Sequence, residues 1–421
     1  MAGTADAFDA DAFLNSLEPV GWKLGLERME RLSEELGRPQ DSFASIHVVG
    51  TNGKSSVSRM IAAICHAHGY SAGCSLSPHL TRWSERVVVP GADTEELFDE
   101  CVRRAAGAAA KVNSRLEGEE VTQFELATAA AFLTLAETGV QVAAIEAGLG
   151  GRLDATNSIP SLATVLTSIG LDHTEYLGET EMEIAGEKLA VLRRGTILVL
   201  GPVSGEVRGL ARDTAARRQC EIREIPDSAL SEDALPGVPG GFQRINFAVA
   251  EAAAACFLGE TSRLKAAHAV RELTIHGRLE KIGSEPLVLA DVAHNPAGAK
   301  ALAASLPEVT GNLPVIGVIG ILGDKDAEGM LTELAGSFES VIFTALPPEA
   351  LESWGRPGAR AWDPAELTAI ADRLGLESEI AGTPAEAMAR ARKLALERGG
   401  AVLMTGSHYL FAPVDPPDGG R

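Results

Sequence analysis

Short apolar runs alternate with longer amphipathic ones along nearly the whole chain. Residues 46–49, 142–145, 163–167 and 196–200 read as buried strands, and residues 55–68, 94–115, 123–137 and 181–192 have helical spacing and length. Such alternation predicts a mainly parallel sheet covered on both faces. The pattern restarts after Gly277. There, residues 287–292, 315–321, 341–345 and 401–405 are strand-like, separated by helical stretches at 297–305, 327–338, 364–374 and 383–397. A Pro/Gly-rich stretch at 236–241 and an alanine-rich helix at 243–258 precede the restart. The boundary is placed near His276 and Gly277, giving a domain of residues 1–277 followed by one of residues 278–421. No tandem repeat is visible.

Composition narrows the chemistry. Of 421 residues 45% are hydrophobic and 23% charged, as in chains that bury a core. With 37 Lys plus Arg against 58 Asp plus Glu, the formal net charge is −21. That field repels phosphate backbones and excludes nucleic-acid binding by bulk charge. An anionic small molecule must then be held by local donors or metal ions. The five cysteines form no C-x-x-C pair and are odd in number, which points to a reducing compartment. The N-terminal residues are acidic and do not read as a signal peptide. The most apolar stretch, 313–323, is short and broken by glycine, so no membrane span is expected. A cytoplasmic chain is the expectation.

The clearest chemical motif follows the first strand. Gly50, Thr51, Asn52, Gly53, Lys54, Ser55 and Ser56 lead from an apolar strand into a helical rhythm. Glycines let backbone N–H groups converge, lysine adds a point charge and the helix start adds its dipole, which together suit a nucleotide phosphate. The strict P-loop spacing is missed by one residue, because Val48 stands where a glycine would.

Two further strand ends carry polar residues. The strand at 142–145 runs into Glu146 and then Gly148, Gly150 and Gly151. A carboxylate there faces the crevice where parallel sheets bind ligands, although taken alone it is as readily a solvated acid. The strand at 163–167 runs into Asp172 and His173. A lone histidine is more often structural than a ligand, and a hard cation such as Mg²⁺ suits Glu146 better.

Taken together these residues resemble the folylpolyglutamate synthase and dihydrofolate synthase family, within the wider Mur ligases. The likeness covers Gly50 to Ser56, Ser77-Pro78-His79-Leu80 with Glu85-Arg86, Thr122-Gln123-Phe124-Glu125, EAGLGGRLDATN at 146–157, TSIGLDH at 167–173 and Glu187-Lys188. In the second half it covers Asn246, Gly277-Arg278, DVAHNP at 291–296, Asp324-Lys325-Asp326 and Gly406-Ser407. The resemblance implies an α/β chain: a P-loop-type ATP-binding domain on a mainly parallel sheet, followed by a smaller Rossmann-like domain. It implies an ATP-dependent ligase that adds L-glutamate to dihydropteroate and to folates through an acyl phosphate, with Mg²⁺ as cofactor, acting as a monomer. By position, Thr51, Asn52, Gly53, Lys54, Ser55, Ser56, Asn246, Arg278 and Asp291 correspond to ATP contacts. Ser77, Glu146, His173 and a carbamylated Lys188 correspond to metal ligands. Thr122, Gln123, Phe124, Glu125, Leu153, Asp154 and Ala155 correspond to the pterin site, and His294 and Ser407 to the glutamate site. Lys54, Lys188, His173 and His294 carry the catalytic roles.

Several positions depart from the family pattern. Ser55 replaces a glycine, which leaves Ser55 and Ser56 as rival hydroxyls beside the phosphates. Leu189 and Ala190 follow Lys188 in place of Ala-Gly, His276 replaces a proline, and Phe242 replaces a histidine ahead of Asn246. Lys188 has an alternative reading, a charged amine paired with Glu187 or a substrate carboxylate. Two other functions were weighed. A cell-wall Mur ligase usually carries a further N-terminal domain, whereas about 44 residues precede the first strand here and the segments 77–80 and 122–125 favour folate. A P-loop switch would leave the 291–296 motif without a task.

Overall fold

The computed structural model describes residues 8–17, 25–226, 238, 240–348, 351 and 359–411. Its contacts divide the chain into two units. One comprises Met1–Pro236 with Ile245–Leu273, the other Gly237–Arg244 with Thr274–Arg421. Within the Pro/Gly-rich stretch, residues 236, 237 and 239 lie outside the described residues, as do the first seven of the chain.

The first unit is built on seven strands: β1 (Ala44–Val49), β2 (Ala72–Ser75), β3 (Val87–Val88), β4 (Val142–Glu146), β5 (Ala163–Leu166), β6 (Ile197–Leu200) and β7 (Glu221–Glu224). They lie in the order β3-β2-β4-β1-β5-β6-β7. All pairs are parallel except the edge pair β2–β3. The helices are α1 (Ala10–Ser16), α2 (Glu27–Glu35), α3 (Lys54–Ala67), α4 (Glu95–Asn113), α5 (Gln123–Glu137), α6 (Thr174–Leu177), α7 (Glu181–Leu189), α8 (Gly205–Arg217), α9 (Gly241–Leu258) and α10 (Arg263–Arg271). One core joins α1, α2, α4 and α5 to Ala143 and Ile145 of β4. Another joins Val49, Leu166, Leu198 and Leu200 to α7 and α8. Helix α5 is buried from Glu125 through Leu135, which explains why its sequence is apolar on every face. Because β1 lies between β4 and β5, the strand order reverses there. Parallel sheets open a ligand crevice at the carboxyl ends of strands at such a point.

The second unit has six strands: β8 (Glu280–Ser284), β9 (Leu287–Ala290), β10 (Val315–Ile319), β11 (Ser340–Thr344), β12 (Ser378–Ala381) and β13 (Ala401–Thr405). Their order is β12-β11-β10-β13-β9-β8, with only β8–β9 antiparallel. Helices α11 (Pro296–Thr310), α12 (Ala327–Leu334) and α13 (Pro364–Arg373) cover one core, and α14 (Pro384–Arg398) covers a second. Helix α11 starts on an Asn295 cap with Pro296 in its first turn and stops at the left-handed Gly311, the usual chemistry of a helix start and stop. Among the described residues no helix is long and apolar enough to cross a membrane.

Candidate active site

The phosphate loop links β1 to α3. Gly53 caps α3 at φ +85°, and a Cβ there would stand 2.6 Å from Asn246 Oδ1. Only glycine meets both demands, the left-handed backbone and the close approach of Asn246. The free N–H groups of the helix start therefore open directly onto the loop. The end of β5 pins the loop from the side. Thr51 N–H donates to the Ser168 carbonyl at 2.9 Å, Asn52 N–H to Ser168 Oγ at 3.0 Å, and Thr167 Oγ1 to the Asn52 carbonyl at 2.7 Å. The Lys54 ammonium folds back onto the Gly50 and Thr51 carbonyls, 3.1 Å from each.

Glu146 is the last residue of β4, opposite Val48 of β1 and only 2% exposed. Its Oε1 accepts the Ser55 hydroxyl at 2.9 Å and its Oε2 accepts Ser77 N–H at 3.1 Å. The two rival serines are thus separated. Ser55 stands beside the carboxylate, whereas Ser56 is fully buried on the inner side of α3. Residues i and i+1 on a helix face different ways, so the two hydroxyls lie in different surroundings.

His173, at φ +51°, caps α6 beyond β5, with Nε2 3.9 Å from Asp172 Oδ2. Asp172 is an acid at the site that sequence reasoning passed over, although it adjoins His173. Lys188 of α7 is 5% exposed. Burial, with the Lys54 charge nearby, pushes its ammonium down to about 7. The Glu187 carboxylate does not pair with it, being held by Arg152 Nε at 3.1 Å.

The pterin candidates divide between surface and scaffold. Phe124 rests on Gly148, where a Cβ would stand 2.5 Å from its ring, and Leu153 is 39% exposed. Thr122 caps α5, and Gln123 Nε2 donates to the Leu14 carbonyl at 2.8 Å. Glu125 is buried, with both oxygens 3.1 Å from Arg28 Nε, and one also accepts Thr122 N–H at 2.8 Å. The Glu125 carboxylate, a pterin candidate by resemblance, also fixes the start of α5. Asp154 and Ala155 are also buried. The Asp154 carboxyl is raised by burial, against hydrogen bonds from Thr156, Leu149 and Gly148.

A small cleft beside Glu146 is lined by Ser77, Arg86, Phe124, Thr128 and Thr156. Arg86, part of the family motif at Glu85-Arg86, is a cation that the motif alone does not assign. Its guanidinium lies 4.0 Å over the Trp83 ring, and its Nε–H donates to His79 Nδ1 at 3.0 Å. Burial pulls it down to about 9, so it is a cation at neutral pH. Among the described residues no three His, Cys, Asp or Glu side chains gather into a metal cluster. Glu146, with the Ser55 hydroxyl beside it, offers oxygen donors of the kind that suit a hard divalent ion.

Residues 48–196 match the Mur ligase middle domain, and residues 277–408 match the Mur ligase glutamate ligase domain. A dihydrofolate synthase/folylpolyglutamate synthase of Mycobacterium tuberculosis is 35% identical over 371 residues, 77% of this chain and 76% of that protein. The chain belongs to the dihydrofolate synthase/folylpolyglutamate synthase family. The folylpolyglutamate synthase of M. tuberculosis, solved with ADP and AMPPCP, superposes with a TM-score of 0.83 at 31% identity over 92% of this chain and 93% of that one. A bifunctional folylpolyglutamate synthase/dihydrofolate synthase of Yersinia pestis, solved with AMPPNP and a Mn ion, gives 0.78 at 27% over 97% and 98%.

In this member of the dihydrofolate synthase/folylpolyglutamate synthase family the second unit has its own polar centre, at the carboxyl ends of β9 and β13. Asp291 is buried and accepts Leu279 N–H at 2.9 Å and Ala293 N–H at 2.8 Å. Burial raises its carboxyl, against the charge of Arg278. Arg278 Nη1 donates to the Gly277 carbonyl at 3.1 Å. His294 Nδ1 lies 2.9 Å from the Val292 carbonyl. A carbonyl only accepts, so Nδ1 carries a proton. Ser407, just past β13, is buried and takes Tyr409 N–H at 3.3 Å.

Proposed function

We propose that the chain is an ATP-dependent ligase that joins the amine of L-glutamate to the carboxylate of dihydropteroate and of reduced folates. The observation that carries the reading is the position of Glu146. It links the phosphate loop, through Ser55, to a cleft walled by Phe124 and Arg86. Phosphoryl transfer to a carboxylate needs a nucleotide site, an anion site and a hard-cation ligand side by side, and these residues supply all three.

The substrate carboxylate attacks the γ-phosphorus of ATP and ADP leaves. The glutamate amine then attacks the acyl carbon, expelling phosphate and losing a proton. Lys54 and the N–H groups at the start of α3 stabilise charge on the phosphoryl oxygens, and Thr51, Asn52 and Gly53 shape the loop around them. Glu146 with Ser55, Ser77, His173 and the modified Lys188 would hold Mg²⁺, which supplies further neutralising charge. Arg86 meets the substrate carboxylate, an anion that a chain of net charge −21 would otherwise repel. Phe124 and Leu153 offer apolar faces to the pterin, Thr122 fixes the start of the helix that carries Phe124, and Asp154 and Ala155 are assigned to the pterin beside Leu153. Asn246, Arg278 and Asp291 are assigned to ATP, and His294 and Ser407 to glutamate. Lys188 favours carbamylation because burial keeps a share of its amine neutral at pH 7, the form that adds CO₂.

Glutamate-dependent ADP release, measured with dihydropteroate and tetrahydrofolate side by side, tests the proposal. Release with both acceptors is the expected result. Release with neither would end the folate reading, and release with one would assign a single activity.

A further inference from the structure

His47 lies on the central strand β1 with no exposed surface. Its Nε2 is 2.9 Å from Thr156 Oγ1. Thr156 Oγ1 in turn donates to Asp154 Oδ1 at 2.5 Å, and Thr156 N–H reaches the same oxygen at 3.0 Å. The other Asp154 oxygen accepts Leu149 N–H at 2.8 Å, within the glycine-rich turn. A hydroxyl has one proton to give, and Thr156 gives it to the carboxylate. Nε2 must therefore donate to Thr156, which fixes the imidazole as the Nε2–H tautomer. Nδ1 is then the ring's bare lone pair. It is buried and has no hydrogen-bond partner, an arrangement only a neutral ring tolerates. Burial, together with the charge of Arg193, pushes His47 down to about 3. Thr156 also lines the cleft that holds Phe124 and Glu146.

A buried donor with a second, unsatisfied nitrogen is a costly way to fill a strand position where an apolar side chain would pack. What it supplies is direction, because it sets which way the Thr156 proton points and so holds the Asp154 carboxylate in one orientation. We propose that His47 is a positioning residue for the pterin end of the substrate, acting as a permanently neutral Nε2–H donor through Thr156 on Asp154. This rests on the reading of residues 153–155 as pterin-facing.

Two measurements on the full chain test it. In ¹⁵N-histidine NMR, His47 should show a protonated Nε2 and a bare Nδ1 from pH 5.5 to 8. A ring that titrates near 6.5, or carries its proton on Nδ1, would overturn the relay. In steady-state kinetics with dihydropteroate, His47→Gln places an amide N–H where Nε2 was and should keep KM within about threefold. His47→Leu and Thr156→Val should each raise the dihydropteroate KM about tenfold while leaving the ATP KM unchanged. Thr156→Val differs from Thr by one atom, so it answers the question if His47→Leu does not fold. Asp154→Asn separates the proposal from the reading beneath it. If Asp154→Asn leaves the dihydropteroate KM untouched, the pterin reading falls and the proposal with it. If Asp154→Asn raises that KM and Thr156→Val does not, the proposal alone is wrong.

Discussion

Ser55 donates its hydroxyl proton to Glu146 across 2.9 Å, tying the first turn of the phosphate-loop helix to the last residue of a neighbouring strand. The two residues are 91 positions apart and meet because β1 and β4 pair in parallel register, Val48 opposite Glu146. This contact places a buried carboxylate beside the Gly50–Ser56 loop. It also makes the two motifs separable by mutation.

Lys54→Ala removes a cation held against the loop carbonyls. Turnover should fall by about 10²-fold or more, the usual loss when a strong electrostatic donor is deleted. Thermal unfolding should move little, since a half-buried loop lysine packs against few neighbours. Near-normal turnover at saturating ATP would remove Lys54 from the phosphate site.

Glu146→Gln keeps the shape of the side chain and discards its charge. Activity titrated against Mg²⁺ should shift to higher concentration and recover in part at the top of the range. Ser55→Ala should leave the Mg²⁺ curve nearer to wild type, because Ser55 contributes a neutral hydroxyl. A Glu146→Gln enzyme with an unchanged Mg²⁺ curve would show that the carboxylate holds no ion.

Burial holds the Lys188 ammonium down to about 7, against the ordinary 10.5 of an exposed lysine. In CO₂-free buffer the unfolded chain therefore binds more protons between those limits, and stability rises with pH across that window. Relative to Lys188→Met, wild type should gain up to about 1.4 kcal/mol per pH unit there by urea unfolding. Equal slopes would mean the amine is not desolvated. For the modified-lysine role, Lys188→Arg keeps charge but forms no stable carbamate, so it should retain less than about a tenth of wild-type turnover, a barrier rise above roughly 1.4 kcal/mol. Short carboxylates such as acetate should partly rescue Lys188→Ala.

Arg28 and Glu125 are both buried, and Arg28 also reaches Glu119 Oε2 at 2.6 Å. Arg28→Ala strands the Glu125 carboxylate and should cost about 3–5 kcal/mol in denaturant unfolding. Replacing both residues by Met should restore most of that stability. If Glu125 instead holds the pterin, the double variant will be stable yet lose dihydropteroate binding, which a calorimetric titration reads directly.

The hydrophobic pattern by itself determined the alternation of central strands and helices in both units. Strands such as β4, β5 and β10 are buried on both faces, so nearly every position is apolar and the signal is strong. It also located the phosphate loop and the strand ends bearing Glu146 and His173, because those motifs are contiguous. Strands β3, β7, β8 and β12 left no such mark. Each is a sheet edge, half solvated and carrying residues such as Glu221, Arg223 and Lys281. Strand β2 was silent for a different reason. Its residues are small, and at Gly73 Leu135 and Val89 leave no room for more: a Cβ there would lie 2.6 Å from Leu135. Only the tertiary structure decided what each polar side chain does. Glu125 is spent on Arg28, Gln123 on Leu14, Ser56 turns inward, and His47 reaches Asp154 through Thr156. Those partners lie up to 109 residues apart. A polar residue's role depends on which distant group satisfies its hydrogen bonds, and that pairing exists only once the sheet has brought the strand ends together.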